Sequence, residues 1–170
     1  MEVNVRSIIR KDMYCCYMME NMIAEALSKY ADMVKRRCIH VSAILYAIAQ
    51  ESKKHAKILE YLAELFDLFE ETNCEQLVGE PWTRIKELLN KLSIGEEIDL
   101  KNFIETQRWI EVAVGEETYH KILLPLLMEY MKMIYTDGET AEILKRIFSK
   151  IINDEKWHEE SLMKLADYKC

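Results

Sequence analysis

Apolar and polar residues alternate along this chain with a helical period. Read in steps of three and four, Ile9, Met13, Cys16, Glu20, Ile23, Leu27, Tyr30 and Val34 form one stripe, which predicts a helix over roughly 3–36. Val41, Leu45, Ile48, Ser52, His55, Leu59, Leu62, Phe66 and Phe69 form a second, predicting a helix over roughly 39–71. The break between them is short, so these two segments should be antiparallel neighbours. The pattern lapses over 72–99, which holds Gly79, Pro81 and Gly95, and within it 81–92 reads as a short helix with Pro81 in its first turn. A third stripe, Trp109, Ala113, Glu116, His120, Leu123, Leu127, Tyr130 and Ile134, predicts a helix over roughly 100–135, kinked at Pro125. After a turn at 136–140, Leu144, Phe148, Ile151, Glu155, His158, Leu162 and Leu165 predict a fourth helix reaching about 167.

Each stripe carries polar residues near its middle: Glu20, then His55, then Glu116, then Glu155 with His158. A buried carboxylate needs a partner, a proton or a metal. One such residue is usually a satisfied core group, but one on every stripe predicts a shared polar layer of metal-binding type. In four-helix bundles a Glu-x-x-His pair such as Glu155/His158 forms half of a di-iron or di-manganese site. Glutamate can bridge or chelate two divalent ions, and histidine adds one neutral donor to each. On the second segment an alternative stripe through Ile44, Ile48, Glu51, His55, Ile58, Leu62 and Leu65 is equally apolar, so Glu51 can turn inward in place of Ser52.

Composition narrows the class. At 170 residues the chain suits a single domain over 1–170, and half of it is hydrophobic with only 4 Gly and 2 Pro, which favours long helices. A net charge of −7 argues against a nucleic-acid partner. No apolar run is long enough to predict a membrane-spanning helix, and no signal core follows the N-terminus, so a cytoplasmic location is expected. The odd count of 5 Cys, with no C-x-x-C, predicts reduced thiols, some of them buried, and no disulfide framework. The methionines of the first segment read as core filler, Lys53 and Lys54 as a solvated face, and His40 as a surface or capping residue. His120 reads as a hydrogen-bonded core histidine or an extra ligand, and Trp82 as an anchor of the crossover to the bundle or to a second subunit.

These motifs resemble the ferritin-like superfamily, in particular its rubrerythrin-like branch, over nearly the whole chain. The resemblance rests on Glu20 with Ala24, Leu27, Tyr30 and Ala31, and on the run from Ile48 to Leu59 around His55. It rests further on Gly115-Glu116 followed by Pro125, and on Glu155-x-x-His158. It implies an all-α, ferritin-like antiparallel four-helix bundle whose long crossover between the second and third helices contains a short helix. It also implies metal ligands Glu20, His55, Glu116, Glu155 and His158, to which the alternative stripe adds Glu51, holding two iron ions, with manganese or zinc as alternatives. The expected activity is reaction with oxygen or peroxide, fed by an electron donor, in a homodimer. Two positions depart from the family pattern. Ser52 stands where a bridging glutamate is usual, and Tyr119 where a further glutamate is, and no rubredoxin module is present. A metal-free or single-metal bundle serving as an interaction module is the competing expectation, and an iron-storing shell a third.

Overall fold

The computed structural model describes residues 5–135, 138–166 and 168, apart from the side chains at 116 and 117. Among them every regular element is a helix: α1 (Val5–Val34), α2 (Ile39–Phe66), α3 (Cys74–Val78), α4 (Glu80–Ser93), α5 (Leu100–Val112), a π-helical stretch (Ala113–Leu123), α6 (Leu124–Ile134) and α7 (Glu139–Leu165). The segment from α5 to α6 is unbroken, so four long helical runs pack round one core.

Side-chain pairs define the direction of each run. The start of α1 meets the end of α2, where Arg6 pairs with Asp67 at 2.6 Å and Arg10 Nε donates to the Phe69 carbonyl at 3.1 Å. These two helices are therefore antiparallel. Tyr30 stacks on Phe103 at 3.7 Å and Tyr119 reaches Glu20, so α1 also runs against the α5–α6 run. Pairing of Glu111 with His158 and of Tyr119 with Phe148 sets α7 antiparallel to that run. Contacts of Glu51 with His158 and of His55 with Asp154 set α7 antiparallel to α2 as well. Helix α2 and the α5–α6 run consequently point the same way. Residues 67–99 must carry the chain back along the bundle, and α3 and α4 form on that return.

Local chemistry sets the helix ends. Helix α2 stops at Phe66, short of the expected 71, because Asp67 takes a left-handed conformation (φ 52) and closes the last turn through its N–H to the Ala63 carbonyl. Asp99 caps α5, its carboxylate accepting from the Asn102 N–H at 3.0 Å. Trp82 packs partly buried against the core, anchoring the crossover to the bundle.

The expected kink at Pro125 takes the form of a widened helix ahead of it. Pro125 has no N–H to give to the preceding turn. From Ala113 to Leu123 the backbone adopts π-helical bonding, and the Leu124 N–H still reaches five residues back to Tyr119 O. More residues per turn rotate the inward face. Ile110, Glu111, Val114, Tyr119, Leu123, Leu127 and Met131 are buried, while Trp109 is 36% exposed and His120 is exposed. This corrects the expected third stripe. Counting back from Leu123 by α-helical steps lands on His120 and Trp109, whereas the wider turns lead to Tyr119 and Glu111.

The cysteines are also corrected. Cys15 and Cys74 form a disulfide that ties α1 to the first residue of α3, and Cys38 is disulfide-bonded too, while Cys16 is a buried free thiol. The pairing spans 59 residues and lies within no short motif, so spacing alone does not reveal it. A cross-link over so long a loop removes much of the unfolded chain's freedom. Cys74→Ser is expected to lower unfolding free energy by roughly 2–4 kcal/mol, measured by urea denaturation against the oxidised wild type.

Candidate metal centre

Burial sets the terms. Glu20, His55 and His158 are 0% exposed, Glu111 1% and Glu155 3%, so each must be compensated inside the bundle. They come from all four runs: Glu20 from α1, His55 from α2, Glu111 from α5, and Glu155 and His158 one turn apart on α7.

The donors fall into two triads. Glu20, His55 and Glu155 bring ligating atoms within 4.8 Å of one another, as do Glu111, Glu155 and His158. Glu155 belongs to both. Its Oε1 lies 3.0 Å from His55 Nδ1 and 3.5 Å from His158 Nδ1. His55 Nδ1 is 3.6 Å from Glu20 Oε1, and His158 Nδ1 is 3.3 Å from Glu111 Oε2. Both imidazoles thus turn Nδ1 toward the shared carboxylate.

Their other nitrogens are held from outside. Asp154 Oδ2 is 3.1 Å from His55 Nε2, and Glu51 Oε2 is 3.1 Å from His158 Nε2. The arrangement is reciprocal: Glu51 and His55 lie one turn apart on α2, as Asp154 and His158 do on α7, and each carboxylate braces the opposite helix's histidine. A carboxylate at Nε2 keeps the proton there and leaves Nδ1 free to ligate. Tyr119 is fully buried and its hydroxyl donates to Glu20 Oε1 at 2.7 Å, which fixes that carboxylate.

The residues expected from sequence take different places. Glu20, His55, Glu155 and His158 meet in one layer. Glu51 stands behind His158, partly exposed, and belongs to neither triad. The side chain of Glu116 lies outside the described residues. Ser52 is fully buried with an unpartnered Oγ. His120 faces outward, because the π-helical turns rotate it off the core side, so it is not a core group and belongs to neither triad. Glu111 was not anticipated. Its signal is the set Phe103, Ile104, Gln107, Ile110, Glu111, an α-helical face of its own that joins the later Leu123–Leu127 face only through a change of register between them. The amide of Gln107, one turn before Glu111, is likewise buried and unpartnered.

Several ligand-type atoms have no hydrogen-bond partner: Glu20 Oε2, Glu111 Oε1, both oxygens of Glu155, and His55 Nδ1. Orphans are costly, and their convergence is the pattern that cations would satisfy. The donor set, three carboxylates and two imidazoles, fits two divalent ions sharing Glu155.

Without metal, protons do the compensating. Burial pushes the His55 imidazolium down, but Glu155 and Glu20 beside it more than offset this and hold it up at about 10. His158 is likewise disfavoured by burial yet held at about 11 by Glu111 and Glu155. Burial, then repulsion from Glu155, raises Glu111 to about 8. Burial and then the nearby Glu20 charge oppose ionisation of Glu155, but the proximity of the two histidines and Glu111 brings it below its usual range.

Gly115 permits the close approach of α7. A Cβ there would lie 2.6 Å from Glu155 Cβ, a contact that forces the backbones apart. Gly115→Ala is expected to destabilise the fold by about 1–3 kcal/mol, read by urea unfolding, and to weaken whatever Glu155 holds.

No family model matches the chain, nor does any curated protein or any solved structure. Among the described residues, no helix is long and apolar enough to cross a membrane.

The raised groups set a direction for pH dependence. His55 and His158 rise from 6.5 on folding and Glu111 from 4.5, so their contributions are complete below those values and are lost as pH climbs through about 8 to 11. The melting temperature of the metal-free protein is therefore expected to fall steadily between about pH 6 and about pH 10. A flat or rising profile in scanning calorimetry would show that the histidines are not held protonated.

Proposed function

We propose that this chain is a di-metal carboxylate protein of the ferritin-like, rubrerythrin-like kind, most simply di-iron, acting on oxygen or peroxide. The observation that carries the reading is the pair of buried triads sharing Glu155, whose carboxylates include oxygens without a hydrogen-bond partner. The parallel course of α2 and the α5–α6 run, bridged by 67–99, supports the ferritin-like connectivity.

In this reading Glu20 and His55 hold one ion, Glu111 and His158 the other, and Glu155 serves both. Oxygen-rich ligation with imidazole suits iron or manganese, and bound iron would supply electrons to the oxidant. The protein's part is positional and electrostatic. Asp154 and Glu51 hold the imidazoles with Nδ1 inward. Tyr119 holds Glu20 and keeps a hydroxyl proton beside it, and the buried core that includes Ile23, Ile48, Phe148 and Ile151 keeps water out of the bundle interior. Ser52, lacking a carboxylate, leaves the layer one anion short of a second shared ligand.

Ion loading must displace protons from His55, His158 and Glu111, so affinity should rise with pH. A metal-free polar network acting as a structural layer is the second reading. It is favoured by the charge-compensated pairing of both histidines with carboxylates.

Anaerobic loading with Fe(II), followed by elemental analysis of the desalted protein, separates the two. Wild type is expected to retain about two ions per chain. Glu155→Ala should retain essentially none, and Glu111→Gln should lose one ion's worth of binding. Retention well under one ion by wild type, together with added stability in Glu111→Leu, would favour the structural layer.

A further inference from the structure

The triads are sealed on most sides, which raises the question of how an ion reaches them. A cavity of about 290 Å³ opens beside the π-helical stretch, with Glu111, Gly115 and Glu155 among its lining residues. His120, Lys156, Glu159 and Glu160 line it as well, and all four are at least partly exposed. We propose that this cavity is the admission route for a divalent cation, and that Glu159 and Glu160, with His120 opposite, form an outer, transient site for the hydrated ion. The proposal rests on the di-metal reading above.

Three observations support it. Glu111 Oε1 and both Glu155 oxygens are buried without a hydrogen-bond partner, and both residues line the cavity, so it leads to unsatisfied acceptors. Glu159 follows Glu155 by one helical turn, which places a second carboxylate roughly 6 Å farther along the same face of α7. Gly115 contributes no side chain to the wall where α5–α6 passes close to Glu155.

The rim is held and balanced. Arg108 pairs with Glu159 at 3.5 Å, fixing the carboxylate without burying it. Lys156 lines the same cavity and adds a positive charge to its wall. The route therefore predicts effects of opposite sign. Removing acidic charge at the rim should slow loading, and removing the lysine charge should speed it.

The test is stopped-flow mixing of the metal-free full chain with cobalt(II) chloride at low ionic strength. Loading is followed by the cobalt visible bands and final content by elemental analysis. Glu159→Gln/Glu160→Gln is expected to lower the loading rate roughly three- to tenfold with the same final cobalt content, because neither residue belongs to the inner triads. Lys156→Gln should raise the rate under the same conditions. Glu64→Gln/Glu87→Gln, two exposed sites away from the cavity, controls for net charge. Equal slowing in that control, or unchanged rates in both rim variants, would overturn the route while leaving the inner site standing. A wild type that takes up no cobalt would instead overturn the di-metal reading, and the route with it.

Discussion

The bundle depends on one carboxylate being shared. Glu155 is almost fully buried and lies within about van der Waals reach of two imidazole nitrogens contributed by different helices. A buried anion of this kind cannot be left alone, and its compensation has to come from α2 on one side and from its own helix on the other. Around it, Glu20 and Glu111 must then be compensated in turn. The layer is thus a closed set of obligations, each residue present because of the next.

That set explains features that would otherwise be unrelated. Gly115 is needed because Glu155 comes so close to the neighbouring backbone. The π-helical stretch between Ala113 and Leu123 brings Tyr119 rather than His120 to the buried side that Glu111 occupies. Tyr119 then supplies the hydrogen bond that Glu20 requires. A departure from regular geometry in α5–α6 is therefore tied to the polar layer at two of its points.

How much of this could be read from the residues alone differs by segment. On α1, α2 and α7 the helices are regular, so stripes counted in threes and fours place Glu20, His55, Glu155 and His158 on the inner side. The same count misplaces the third run, because periodicity assumes a constant turn and Pro125 lies downstream of a stretch where the turn widens. Glu51 shows a second limit. Being four residues from His55 puts it near the layer, but only the crossing of α2 with α7 shows that it faces the other helix's histidine. The Cys15–Cys74 bond joins residues through the crossover, a contact that helical period does not report. Burial pattern is legible locally, whereas pairing between elements is a property of topology.

The reciprocal bracing of Asp154 on His55 and Glu51 on His158 has a mechanical consequence. Apolar stripes are nearly indifferent to a slide of one helix along another, since leucine and isoleucine recur each turn. A slide of one turn, about 5.4 Å, would break both braces at once, setting His55 against His158 in one direction and Glu51 against Asp154 in the other. The two crossed carboxylate–imidazole pairs therefore act as a vernier between α2 and α7. They admit one alignment of the helices, and so the layer specifies the register of the bundle that surrounds it.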